Sequence, residues 1–158
     1  MIRPAVPDDV PQMTALLNQI IAMGGTTAHQ EPFSPEEFRS HYLDGPDALC
    51  CHVAQAAGQV VGFQALGTYP ALPLGWLDIG TFVGIAARGA GVGAALFAVT
   101  KAAALAKGQV INATIRADNA AGLAYYSAMG FQDYALDPAY RLKDGRMVGR
   151  VSKRYDLV

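Results

Sequence analysis

The segment Arg88-Gly89-Ala90-Gly91-Val92-Gly93-Ala94 stands between an apolar run ending at Val83 and an alanine-rich stretch of helical composition. Glycines at alternate positions let a backbone turn sharply and lie close against a ligand, because no side chain intervenes. A helix that opens here leaves its first amide N–H groups unpaired and carries partial positive charge at that end. Strand, glycine loop and helix in this order make a seat for a phosphate or pyrophosphate. Arg88 adds a fixed positive charge beside it. The expectation is a phosphorylated cofactor bound at this junction.

A chain of 158 residues predicts one domain over 1–158, large enough to bury a core without metal or disulfide staples. The net charge is −1 and no Lys/Arg run occurs, which excludes the basic stripe of a nucleic-acid surface. Met1-Ile2-Arg3-Pro4 lacks the apolar core of a signal peptide, and no stretch reaches membrane-spanning length. No nucleic acid and no membrane are expected as partners, and the expected location is cytoplasmic. Cys50 and Cys51 are adjacent, so on a strand they point to opposite faces as reduced packing residues. His29, His41 and His52 form no metal-ligand spacing, and no metal is expected.

The periodicity predicts a short strand over Ile2–Ala5, then a helix capped by Asp8 or Asp9, with Pro11 in its first turn and its end at Gly24-Gly25. Ser34-Pro35-Glu36-Glu37 opens a second, short helix. Strands over Leu49–Ala56 and Val60–Tyr69 form a hairpin around Ala57-Gly58-Gln59, and Trp76–Val83 is the next strand. A third helix runs from about Gly91 to Lys107 with Gly108 as its C-cap. Val110–Ile115 is a strand, and a helix capped by Asp118 or Asn119 stops at Gly130. Phe131–Leu136 and Met147–Tyr155 are two last strands around a turn at Lys143-Asp144-Gly145. This order predicts an α+β fold: one mixed, mostly antiparallel sheet flanked by about four helices.

Two motifs in this order resemble the GNAT acyltransferase superfamily. One is its Arg/Gln-x-x-Gly-x-Gly/Ala loop, met here as Arg88, Gly91 and Gly93. The other is its Asn…Tyr…Gly-Phe segment, met as Asn119, Tyr126, Gly130 and Phe131. The resemblance spans nearly the whole chain and is similar in detail to the phosphinothricin and methionine sulfoximine acetyltransferase subgroup. It implies acetyl-CoA as cosubstrate and an amine as acceptor. It also implies that the strand ending at Phe82 and Val83 splays from the next and holds the pantetheine chain. Arg88, Gly89, Gly91, Val92, Gly93 and Ala94 would then wrap the pyrophosphate, and Asn119 would touch the cofactor or cap its helix.

The same resemblance implies roles for the reacting groups. Tyr126 matches the family tyrosine near the cofactor sulfur and is the candidate general acid, since a tyrosine stays protonated at neutral pH. The Val83 N–H is the candidate oxyanion donor. Asp78 stands where the subgroup carries a glutamate; strand alternation puts it on one face with Gly80 and Phe82, as candidate base. The loop Gly24–Pro32 resembles the Gly-Thr-rich, Glu-Pro-ending loop of the subgroup's acceptor pocket. Thr26, Thr27, His29 and Glu31 are therefore candidate substrate contacts, with Glu31 able to pair with an ammonium or share the base role. Two departures are an isoleucine, Ile85, where many members have proline, and a third helix with few lysines to meet a 3′-phosphate.

Other classes compete. Gly89-x-Gly91-x-x-Ala94 also fits a dinucleotide fingerprint, but Asp118 begins a helix instead of ending a strand, and some 80 residues precede the motif. A non-catalytic acyl-CoA-binding module is a second alternative, and intact Tyr126 argues against it. A protein N-terminus or lysine is the alternative acceptor. The expectation is an N-acetyltransferase acting on the primary amine of a small, amino-acid-like molecule, as a homodimer.

Overall fold

The computed structural model describes residues 1–158. Its elements are β1 (Ile2–Pro4), α1 (Val10–Met23), α2 (Pro35–Tyr42), β2 (Ala48–Ala56), β3 (Gln59–Gly67), β4 (Trp76–Val83), α3 (Val92–Ala104), β5 (Val110–Arg116), α4 (Ala120–Ala128), β6 (Gln132–Arg141) and β7 (Met147–Asp156). The seven strands form one sheet in the order β1-β2-β3-β4-β5-β7-β6. Every neighbouring pair is antiparallel except β4 and β5. This is the expected α+β fold with four helices.

Strand alternation divides the buried side chains between two layers. Met13, Leu17 and Ile20 of α1 pack with Phe38 and Tyr42 of α2 onto Cys51, Val53 and Phe63. On the other face Phe97 of α3 and Tyr126 of α4 pack onto Leu66, Leu77, Ile79, Ile111 and Ile115. Each such Leu, Ile or Phe contributes roughly 1.5–3 kcal/mol. Cys51 lies in the first layer and Cys50 against the second, on opposite faces as expected.

Local chemistry fixes the ends of the elements. Ser34 accepts the Glu37 N–H at 3.1 Å while the Glu37 carboxylate accepts the Ser34 N–H at 3.1 Å, a reciprocal cap on α2. Ala57 (φ 51°) and Gly58 (φ 76°) both take left-handed backbone, the two-residue turn whose twist suits a hairpin.

Three readings of the sequence differ from the fold. Asp9 does not cap α1 with its side chain; its carboxylate turns back to Arg3 in a two-bond pair of 2.7 and 2.8 Å and accepts the Val6 N–H. Helix α3 ends at Ala104, and Gly108 serves close approach instead of a left-handed cap: a Cβ there would lie 2.7 Å from the Gly75 carbonyl oxygen. Strand β6 runs on to Arg141, past a break in register between Asp137 and Tyr140 where Pro138 has no N–H to give the ladder.

The feature that positions the site is the end of the β4–β5 ladder. The strands pair at Trp76↔Val110, Leu77↔Ile111 and Asp78↔Asn112, and no further. Beyond that point β4 stays with β3 as far as Gly62↔Val83, while β5 stays with β7 as far as Arg116↔Arg150. The sheet therefore opens as a V with Asp78 at its apex.

Candidate active site

The V opens into a cleft of about 1460 Å³ that reaches both faces of the sheet. Asp78, Phe82, Val83, Arg88, Gly89, Gly91, Val92, Gly93, Ala94, Asn119 and Tyr126 all line it, as do Thr26, Thr27 and His29. Glu31 does not. Its side chain is 74% exposed and faces Lys143 at 3.5 Å.

One end of the cleft is the glycine loop. Gly89 (φ 81°) and Gly91 (φ 79°) take backbone that an L side chain resists, and the space beside both is open. Ala95 N–H to the Gly91 carbonyl is the first bond of α3, so the Val92, Gly93 and Ala94 N–H groups precede the ladder and stand free for an anion. Gly93 is glycine for a different reason. A Cβ there would lie 2.6 Å from the Tyr125 ring, whose hydroxyl donates to the Gly93 carbonyl at 2.7 Å and accepts from Gln64 at 3.1 Å. The Arg88 Nε donates to the Val83 carbonyl at 3.4 Å, tethering the loop to the end of β4.

At the apex the buried Tyr126 hydroxyl and the half-buried Asp78 carboxyl approach the gap from opposite faces. The Tyr126 hydroxyl shares a 2.8 Å hydrogen bond with Thr81, on the α3/α4 face. Burial pushes this phenol well above its ordinary range, so it is protonated. Asp78 stands on the other face, with Phe82 packing against the α1/α2 core. Burial raises its pKa, and a 2.9 Å hydrogen bond donated by Asn112 partly offsets that. Asn112 is itself oriented by the Tyr134 hydroxyl, which donates to its side-chain oxygen.

The loop after α1 closes the acceptor-side end and is fastened from three elements. Arg116 donates to the Thr27 carbonyl at 3.1 Å, and Asn119 donates to the Thr26 carbonyl at 3.1 Å. Asn119 also accepts the Gly122 N–H at 3.0 Å, so it caps α4 while holding the loop. Gln30 exchanges two hydrogen bonds with Asp144 in the β6–β7 turn, at 2.7 and 2.9 Å. His29 bonds the Tyr42 hydroxyl at 3.1 Å and sits edge-on to Phe33 at 4.9 Å between ring centres. Burial, with His41 beside it, lowers its pKa to about 4, so the ring is neutral at pH 7.

Several cleft residues escape sequence reasoning. Thr81, and the fully buried Gln64 that donates to it from behind the wall, are polar residues inside apolar strands, and that misfit is a readable signal of a buried polar contact. Tyr42, Phe33 and Arg150 carry no signal, because each reaches the cleft only through the packing of distant elements.

The chain is similar in sequence and fold to known acetyltransferases. Phosphinothricin N-acetyltransferase of Streptomyces coelicolor is 33% identical over 103 residues, which cover 61% of this chain and 60% of that protein. The chain thus matches under two thirds of that relative's length. A phosphinothricin acetyltransferase from Sinorhizobium meliloti, solved with acetyl-CoA, shares the fold with a TM-score of 0.87 at 21% identity, over 99% of this chain and 87% of that one. A ribosomal-protein-alanine N-acetyltransferase from Brucella melitensis superposes with a TM-score of 0.85 at 24% identity, over 99% of each. The sequence profile of the Acetyltransferase (GNAT) family matches residues 15–131, and with the splayed strands and the glycine loop in place, the chain belongs to that family.

Proposed function

We propose that the protein transfers an acetyl group from acetyl-CoA directly to the primary amine of a small, amino-acid-like molecule. The observation that carries this reading is the parting of β4 and β5 just beyond Asp78, with free N–H groups of the glycine loop at one end and Tyr126 at the apex. The residues fit the cosubstrate: the open space beside Gly89 and Gly91 suits a pyrophosphate, and the unpaired edge of β4 beyond Asp78 suits the amide groups of a pantetheine arm. When bound, acetyl-CoA supplies a thioester carbonyl activated for attack.

The chain's own groups divide the remaining work. Asp78, as carboxylate, takes the proton of the acceptor ammonium, directly or through a water. The Val83 N–H would be the donor to the thioester carbonyl oxygen; one such donor is typically worth roughly 3 kcal/mol. Tyr126, held protonated by burial and oriented by Thr81, would donate its proton to the departing thiolate and be reprotonated by the second proton the nitrogen loses as it becomes an amide. No covalent acyl-enzyme is needed, since amine and thioester meet in one cleft.

The fastened loop over Thr26–Gln30 narrows the acceptor end, which favours a small amine over a protein terminus. The exposed side chains of Leu136 and Met147 on the outer β6–β7 hairpin support a homodimer through that edge of the sheet. Acetyl-CoA as cosubstrate supports a cytoplasmic location, and no helix is long and apolar enough to cross a membrane. The experiment is an amine panel with acetyl-CoA, read by release of the CoA thiol and by the mass of the product. Acetylation of amino-acid-like amines is expected; acetylation of peptide N-termini alone would overturn the small-acceptor reading.

A further inference from the structure

Gln64 is a fully buried amide in the middle of β3, between Phe63 and Ala65. Register puts it directly opposite Thr81 of β4, on the face that α3 and α4 cover. Its Nε2 donates to the Thr81 hydroxyl at 2.9 Å and to the Tyr125 hydroxyl at 3.1 Å, while its Oε1 is buried without a partner. An unpaired buried carbonyl oxygen is costly, and an apolar side chain of similar length would fill this place without one. What the amide supplies that an apolar side chain cannot is its pair of donors.

Tyr125 dictates which way the amide faces. A carbonyl oxygen only accepts, so the Tyr125 proton lies on its 2.7 Å bond to the Gly93 carbonyl. Tyr125 has then no proton left for Gln64, and only the NH2 side of the amide can face it. The second N–H of that group is thereby aimed at Thr81. With its oxygen accepting from Gln64, the Thr81 hydroxyl has its own proton to give to the Tyr126 oxygen, 2.8 Å away.

We infer that Gln64 is a positioning residue for the proton donor: through Thr81 it fixes the direction of the hydrogen bond to Tyr126, so that the phenol keeps its own proton for the cosubstrate sulfur. The inference rests on the proposed role of Tyr126 in acetyl transfer. In that step the Tyr126 O–H bond breaks, its electron pair stays on the phenol oxygen, and the proton bonds to the sulfur that leaves the acetyl group. The Thr81 proton, polarised by the Gln64 donor, stabilises the phenolate until the second proton of the attacking nitrogen restores the phenol. The same amide holds Tyr125 on the Gly93 carbonyl, so the loop that seats the cosubstrate and the group that protonates it share one buried anchor.

The test measures release of the CoA thiol from saturating acetyl-CoA, with L-methionine sulfoximine as acceptor, for Gln64→Met with and without Tyr126→Phe. Methionine has a similar length and no N–H, so it keeps the packing and removes both donors. Gln64→Met alone is expected to lower kcat about three- to tenfold, the loss of one hydrogen bond that matters in the transition state. In the Tyr126→Phe background, where the phenol proton is absent, the same substitution is expected to change kcat by less than about twofold. A merely structural loss multiplies in both backgrounds. An unchanged kcat, or the same loss in both, overturns the role of Gln64 and leaves acetyl transfer intact. Should Gln64→Met fail to fold, Thr81→Val breaks the chain one link later and is read in the same way, with Thr81→Ser expected to restore most of the lost rate. An unchanged kcat in Tyr126→Phe overturns the proton donor and this inference with it. A wild type that releases no thiol overturns the proposed acetyl transfer to such amines together with this inference.

Discussion

Burial pushes Asp78 and Tyr126 toward their neutral forms, and the two consequences for the proposed reaction are opposite. Tyr126 must hold a proton to donate it, so burial supports its role. Tyr126→Phe is expected to lower turnover at least about tenfold, roughly 1.4 kcal/mol in the barrier, with acetyl-CoA binding retained; unchanged turnover removes the hydroxyl from the mechanism. Asp78 must lose its proton to act, so the acid limb of the rate profile should lie above the ordinary carboxylate range. The raised pKa also has a stability consequence: the folded state binds this proton more tightly than the unfolded chain, so stability falls as pH rises through the Asp78 titration. Asp78→Asn can still accept the Asn112 bond, so it is expected to remove the acid limb and raise Tm at neutral pH. A lower Tm with an unshifted profile contradicts this. Both residues were legible in the sequence, one from motif spacing and one from strand alternation. Glu31 was not, because its direction is set by contacts of its loop with Asp144 and Lys143, over a hundred positions away.

Among the elements, the loop into α3 has two kinds of glycine that a motif cannot tell apart. Gly91 is required by its backbone angle, and the space beside it is open; Gly93 carries no positive φ but touches Tyr125. Gly91→Ala is expected to cost about 1–3 kcal/mol of backbone strain. Gly93→Ala is expected to cost a similar amount by overpacking and, by moving Tyr125 off the Gly93 carbonyl, to weaken acetyl-CoA binding. Calorimetric titration of acetyl-CoA checks this: an unchanged Kd in Gly93→Ala would mean that Tyr125 does not position the loop. The strand–loop–helix unit and most element ends were readable from apolar period, caps and turns. The end of α3 and the length of β6 were not, because tertiary contacts at Gly108 and the β7 partner decide them.

Across the whole molecule, neutral histidines in the acceptor-side layer tie the fold to pH. His29 titrates near 4 in the folded state against 6.5 when unfolded, so the unfolded chain binds more protons between those values. Its contribution is complete above about pH 6.5 and is lost as pH falls toward 4, roughly 3 kcal/mol at most. His41 in the same layer, and His52 on the other face of β2, shift in the same direction by burial. The urea midpoint is expected to be lower at pH 5 than at pH 7.5, with a smaller difference in His29→Phe; an equal or higher midpoint at pH 5 contradicts this. The overall topology was accessible from the order of elements. The V was implied by resemblance alone, because the point where a parallel ladder stops depends on what each strand pairs with on its other side.

The most direct test of the central claim is the thermal midpoint of the protein with acetyl-CoA, free CoA and NADPH in parallel. A ligand at about 100 times its Kd stabilises by roughly 2.7 kcal/mol, several degrees for a chain of this size. A rise with acetyl-CoA and with CoA but none with NADPH is expected. A rise with NADPH alone, or with none of the three, would contradict the proposed acetyl-CoA site.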